Sequence, residues 1–409
     1  MSSFADARSS MGTDFTQMLK VNYAPTATER LHIQAVVSAK QAHLAQIENE
    51  IDRLLSLLDP LLRARDLAQK SLSEHTSLLS PARRVPPEIW SDIFTRCLPD
   101  AAHVTIDYAH APLLFMQICR HWRSIALSTP RLWTYLTVRA RNEAIPEPSS
   151  LLVKEWLSRA GSLPLSIKVE ATVSLSPNLV DTLASFRSQI HSLDVLAQDQ
   201  ERQKLFDGDM ANLASLSIRS SGIAHSFPLP NAMPNLRRLV VPGIEQSSTM
   251  PFSWADLTAL DVTDSIEFNQ CFPIFHQCRS LSRLALHRID GTHDATYRAC
   301  ATLPHLRFLQ LSPNRDVGIL LDHLTLPNLR QANVAELHSA GRSNVAFLSF
   351  LTRSACPLVA LTISSVVPAR KLREIVEWVH TLRNMHLAWP EQALPLSVQQ
   401  ILSRRNRTQ

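Results

Sequence analysis

The sequence predicts a mixed chain of class α plus α/β: a helical hairpin or coiled coil, a three-helix segment, and an irregular solenoid of leucine-containing repeats. Three observations predict it. Apolar residues recur in steps of four and three from Ile33 onward, prolines and tryptophans punctuate apolar helical runs between residues 84 and 136, and the pattern LxxLxL returns again and again beyond residue 186. With 409 residues and 45% apolar content, the chain is long enough for two or three domains with sizeable cores.

Composition narrows the function classes before any element is placed. The net charge is +5, but lysine and arginine alternate with aspartate and glutamate along most of the chain, so nucleic acid is not an expected partner. Only eight glycines are present, whereas average usage of about 7% would give more than three times as many. No GxGxxG or GxxxxGK[ST] occurs, and a phosphate-cradling loop needs the close backbone approach that glycine permits, so no nucleotide or other cofactor is expected. GxSxG, HExxH and CxxC are missing as well, which leaves no catalytic residues and no metal ligands to nominate. The six cysteines are scattered, as expected of reduced, mostly buried thiols. No apolar run of membrane-spanning length and no secretory leader is recognisable, so a soluble intracellular protein, cytoplasmic or nuclear, is expected.

The first 24 residues are polar and aperiodic and are expected to be disordered. Residues 25–82 carry the heptad seam: Ile33, Val37, Leu44, Ile47, Ile51, Leu54, Leu58, Leu61, Ala68, Leu72 and Leu79. Asp59-Pro60 falls in its middle and reads as a cap and the start of a second helix. Two outcomes stay open: a coiled coil that forms a homodimer, or a hairpin that packs within the chain.

The next segment opens on "RRVPPEIWSDIFTRCLPD". Pro86-Pro87 holds the chain extended up to Glu88, after which Ile89, Ile93, Phe94 and Cys97 share a helical face. "APLLFMQICRHWRSIAL" predicts a second helix from Pro112, with Leu114, Phe115, Ile118, Trp122 and Ile125 at helical spacing, and Thr129-Pro130 starts a third segment bearing Leu132 and Trp133. The order V-P-P-E-I, I-F, I-C-R-x-W-R, L-W over residues 84–136 resembles the F-box, and the helical region before it resembles that of fungal-type F-box proteins. That resemblance implies binding to a Skp-type adaptor and, through it, to the cullin of a ubiquitin ligase. By motif position the adaptor contact would fall on Val85, Pro86, Pro87, Ile89, Ile93, Phe94 and Leu98, with Leu114, Ile118 and Trp122 on its other side.

Residues 137–185 read as a linker, "NEAIPEPSS", followed by a helix and strand that would cap the solenoid. From 186 to 393 the LxxLxL units follow, with first leucines at 213, 236, 257, 281 and 306, weaker copies at Leu329, Leu358 and Leu382, and one before them at Ile190. Spacings of roughly 21 to 29 residues match leucine-rich repeats, in which each unit gives one short strand and a return segment. The asparagine usual after the strand is mostly missing, with Asn314 the exception. Residues alternating with the leucines would form one open face: Arg219, Arg238, Asp261, Arg283, His287, Phe308, Gln310, Asn333 and His386, mixed in sign. Of these, Arg238, Arg283, His287, Phe308 and Gln310 are nominated to bind a protein target. Residues 394–409 read as a basic, solvated tail. The expected function is recruitment of a target to a ligase; the alternative is an interaction scaffold using the same solenoid without a ligase.

Overall fold

A computed structural model describes residues 24–99, 104–141, 147–219, 232–244, 252–290, 300–312, 318–335, 343–364, 367–387 and 394–407. The expected disordered leader, residues 1–23, and Asn314 lie outside them. The chain divides into two compact units, Met1–Val85 and Pro86–Gln409.

Among its described residues the first unit holds one α-helix, α1 (Ala27–Leu78), of 52 residues, followed by a 3₁₀ turn, Pro81–Arg84. The helix begins where the Glu29 carboxylate accepts the Thr26 backbone N–H at 2.8 Å, half of a capping box. The break expected at Asp59-Pro60 does not occur, and with it goes the hairpin alternative. A proline inside a helix denies the carbonyl four residues earlier, here Ser56, its usual donor. That loss is tolerable because no residue of α1 is buried, so water reaches the orphaned carbonyl. Arg63 pairs with Asp59 across the same turn.

The second unit starts with α2 (Pro87–Arg96), α3 (Phe115–Ile118), α4 (Arg120–Leu127) and a 3₁₀ turn, Pro130–Trp133. The single helix expected from Pro112 through Leu127 is therefore two. Cys119 is extended (φ −158°, ψ 167°), and its Sγ accepts the Trp122 backbone N–H at 3.4 Å, so a sulfur cap starts α4 afresh. Phe94 stacks on Phe115 with centroids 4.2 Å apart, and the Trp122 ring lies 4.7 Å from Trp90 and 5.0 Å from Phe94.

Among the described residues fourteen strands follow: β1 (Tyr135–Ala140), β2 (Leu165–Ala171), β3 (Ile190–Leu196), β4 (Ser215–Arg219), β5 (Arg238–Gly243), β6 (Ala259–Glu267), β7 (Arg283–Leu286), β8 (Ile289–Asp290), β9 (Ala301–Thr302), β10 (Phe308–Leu311), β11 (Leu324–Thr325), β12 (Gln331–Val334), β13 (Ala360–Ile363) and β14 (Asn384–Leu387). Twelve form one sheet, in chain order β1-β2-β3-β4-β5-β6-β7-β10-β12-β13-β14 with β8 beside β6, while β9 and β11 pair separately. Every pairing is parallel. Between strands the chain returns through helices such as α5 (Ser150–Ser158), α6 (Pro177–Ser185), α7 (Asp199–Phe206), α8 (Phe268–Gln277), α9 (Gly318–Asp322), α10 (Ser343–Ser354) and α11 (Ala369–Trp378).

The register explains the repeat. Leu216, Leu239, Leu260, Leu284, Leu309, Ala332, Leu361 and Met385 stand opposite one another across eight strands. These residues are buried in one continuous core, at roughly 1.5–3 kcal/mol for each fully buried large apolar side chain. Apart from the small or cyclic Ala285 and Pro242, which are buried, alternate residues on the same strands are half-buried or exposed, so the sheet is covered on one face and open on the other. At the start of each strand one carbonyl accepts two N–H groups from the next unit: Arg237 from Thr258 and Ala259, Ser282 from Arg307 and Phe308, Arg307 from Arg330 and Gln331. Asparagine strengthens this ladder from an unexpected place. Asn212, Asn235 and Asn328, each just before a unit's first leucine, donate to the Ser188, Ala211 and Pro304 carbonyls at 2.6–2.8 Å.

Two boundaries need correction. The sheet begins at Tyr135, so β1 precedes the expected linker, while the helix and strand expected after that linker are present as α5 and β2; of the "NEAIPEPSS" segment, 142–146 lie outside the described residues. The C-terminal segment is no solvated tail, because α12 (Leu396–Arg407) buries Val398 and Leu402. Its Arg405 guanidinium donates to the Val376, Val379 and Leu382 carbonyls at 2.8–3.1 Å, satisfying acceptors that the end of α11 leaves open. The helical segment is also joined to the sheet. Val104 accepts the Thr137 N–H of β1 at 2.7 Å, Trp156 Nε1 donates to the Tyr135 carbonyl at 3.1 Å, and the Trp133 and Trp156 rings meet edge to face at 4.9 Å. The outer edge of β1 thus has a neighbour on the Val104 side.

Candidate functional site

The residues nominated from the sequence lie on two surfaces of the second unit, the helical segment and the open face of the sheet, apart from Val85, which ends the first unit. On the helical segment, Ile89 (49% exposed), Ile93 (39%), Leu114 (39%) and Ile118 (53%) face solvent in pairs one turn apart. Pro86 and Pro87 are exposed, while Val85, Leu98 and Trp122 are half-buried. Phe94 does not belong with them. It is 1% exposed, sandwiched with Phe115 and Trp122, and so serves the internal core, as does most of the Trp122 ring. A helix two residues past Pro87 cannot turn Ile93 and Phe94 the same way, since neighbours differ by about 100°. The cysteines depart from expectation in burial alone: all six are free thiols, but Cys97, Cys119 and Cys300 are exposed. Burial pushes the Cys271 and Cys278 thiols up to about 12, leaving them inert.

The open face of the sheet divides into two charge environments. At its β1–β4 end, the register brings Lys168, Glu170 and Asp194 beside Arg139 and Arg219. Glu170 is almost buried and holds Lys168 Nζ at 2.7 Å, Arg139 Nε and an Arg141 nitrogen at 3.2 Å each, and an Arg219 nitrogen at 3.7 Å. Burial by itself would raise its pKa, but hydrogen bonding and charge from Lys168, then Arg139, outweigh that and hold it at about 2. Arg219 also makes a two-pronged contact with Asp194 at 3.0 and 3.2 Å.

At the β7–β12 end the charges are one-sided. Arg283, Arg307 and Arg330 stand on three consecutive strand starts and line a cavity of about 690 Å³ with Phe308, Gln331 and Asn328. Arg283 lies flat on the Phe308 ring at 3.8 Å. Among the described residues no carboxylate pairs with these three arginines or lines the cavity. Of the five nominated target-binding residues, Arg283 and Phe308 come together here. Gln310 is half-buried one row along the strand, Arg238 is exposed on β5, and His287 lies just past the C-terminal end of β7 with Nε2 3.4 Å from Asp261 Oδ1. Sequence reasoning treated the face as mixed in sign and missed Arg307 and Arg330. Both follow a repeat's first leucine directly, one place outside the alternation counted along the strand, and that recurrent Leu-Arg pair was the available signal.

Among the described residues there is no cluster of histidine, cysteine, aspartate or glutamate fit to hold a metal, and no helix long and apolar enough to cross a membrane. The chain matches no protein-family model and no curated protein.

Proposed function

We propose that the protein recruits a target to a ubiquitin ligase: the F-box-like segment docks a Skp-type adaptor, and through it a cullin, while a leucine-rich-repeat-like solenoid presents its open face to a protein target. The observation that carries this reading is the solvent exposure of Ile89, Ile93, Leu114 and Ile118 on a helical segment whose core is already filled by Phe94, Phe115, Ile125 and Leu132. Large apolar groups held in water at one-turn intervals fit an interface more readily than a free surface. Recruitment works by proximity, since holding two partners on one molecule raises their mutual concentration to roughly millimolar for suitable spacing. In the same reading, α1 pairs with a second copy, because its seam residues Leu44, Ile51 and Leu58 are 47–55% exposed and find no partner along their own helix.

Co-purification with a Skp-type adaptor tests the ligase role. Ile118→Asp should leave circular dichroism unchanged and weaken adaptor binding by about 2 kcal/mol or more, as loss of an interface anchor does. An unaltered affinity removes Ile118 from the contact, and a wild-type chain that captures no adaptor leaves the scaffold reading in its place.

A further inference from the structure

The cavity beside β7, β10 and β12 calls for an occupant that neither the helical face nor the repeat pattern supplies. Arg283, Arg307 and Arg330 give it a charge of +3, with no carboxylate in its lining among the described residues. Neutral donors stand among them: the Ser280 hydroxyl and the Asn328 amide, which keeps one N–H beyond its bond to the Pro304 carbonyl, while the Ser282 hydroxyl is already given to the Thr258 carbonyl. Guanidinium groups bind phosphate oxygens through paired N–H donors, and several on one wall act together.

Two quantities narrow the ligand. A phosphate monoester carries about −1.5 to −2 at pH 7, so one such group leaves the three arginines undercompensated, whereas two, at about −3 to −4 together, balance them. The volume of about 690 Å³ lies inside the range of roughly 300–1,000 Å³ found for small-molecule sites. A peptide, by contrast, gains affinity from a free strand edge or from apolar anchor pockets. Here β7, β10 and β12 are each paired on both sides, and among the described lining residues the one apolar ring, Phe308, is covered by Arg283, the other ring being the polar imidazole of His305.

We propose that this cavity binds a small, freely diffusing polyphosphate bearing at least two phosphate groups. The inference goes beyond recruitment and stands whether or not the helical face binds an adaptor. Its place on the open face means that the ligand, when bound, becomes part of the surface offered to any protein partner.

The test is calorimetric titration of the full chain with tripolyphosphate at low salt, with inorganic phosphate and citrate as comparison anions. One-to-one saturable binding of tripolyphosphate, at least tenfold tighter than either comparison anion and weakened as salt rises, is expected. Arg307→Gln with Arg330→Gln should lower that affinity by tenfold or more at unchanged circular dichroism, while Arg238→Gln, outside the cavity, should stay within twofold of wild type. Absence of saturable binding overturns the proposal. So does equal binding of citrate, an equal loss in Arg238→Gln, which marks diffuse charge attraction, or binding of a doubly phosphorylated peptide where tripolyphosphate does not bind.

Discussion

The long N-terminal helix and the strand array both space apolar residues at regular intervals, yet they use them in opposite ways. Across the array Leu216, Leu239, Leu260 and Leu284 are 0–2% exposed, whereas Leu44, Leu54 and Leu58 on α1 are 47–55% exposed. The difference lies in what the period can reach. A repeat of 21 to 29 residues returns the chain to the side of its own previous unit, so each unit finds its neighbour within the same molecule. A heptad on a straight 52-residue helix never comes back on itself and needs another helix to cover its seam. Regular spacing therefore marks a surface that must be covered, and the length of the interval decides whether the cover comes from inside.

The sharpest way to break this comparison is Leu260→Asp. Leu260 is fully buried between Leu239 and Leu284, so an uncompensated carboxylate there should cost more than about 4 kcal/mol and abolish the cooperative melt of the second unit. Ile51→Asp on α1, by the same logic, should leave that melt where it is. Matching thermal curves for Leu260→Asp and wild type would remove the array's core from its assigned place.

Glu170→Gln comes next in size and probes the compensated end of the open face. The folded pKa of about 2 lies below the ordinary carboxylate value, so Glu170 stabilises the fold above about pH 4.5, and the contribution fades as pH falls toward 2. A shift of that extent corresponds to something on the order of 3 kcal/mol. Chemical denaturation should find Glu170→Gln less stable at pH 7, with the gap to wild type closing in acid; a gap independent of pH would assign the loss to packing instead.

The smallest effect sharpens the other half. Full-length protein should show a mass that rises with concentration in sedimentation, and Ile51→Lys should weaken that association at least tenfold, about 1.4 kcal/mol. A monomeric wild type at every concentration would leave the seam to a different protein.

How much of this was legible in the sequence depends on where each signal resides. The LxxLxL units were, because leucine burial and strand register coincide residue by residue from Ile190 to Leu387. The first strand was not: "YLTVRA" holds its inward positions with Leu136, Val138 and Ala140 and no LxxL frame marks it, whereas the alternation of "LSIKVEA" does announce a strand. Pro60 misled because proline's cost depends on whether water can reach the freed carbonyl, which local sequence does not state. At the candidate surfaces, spacing named Ile89, Ile93, Leu114 and Ile118 but could not separate them from Phe94. Compensation of charge is a property of three dimensions, so Glu170 with its four cations and Arg283, Arg307 and Arg330 with no carboxylate look alike as written letters.

The join between the helical segment and β1 has a mechanical meaning. Trp133 against Trp156, the Trp156 bond to Tyr135 and the Val104 bond to Thr137 all cross it, and the proline-rich "NEAIPEPSS" stretch comes only after β1 is already in the sheet. Whatever grips the helical face and whatever rests on the open face therefore touch one packed body, and a load applied to either is carried through those aromatic and backbone contacts.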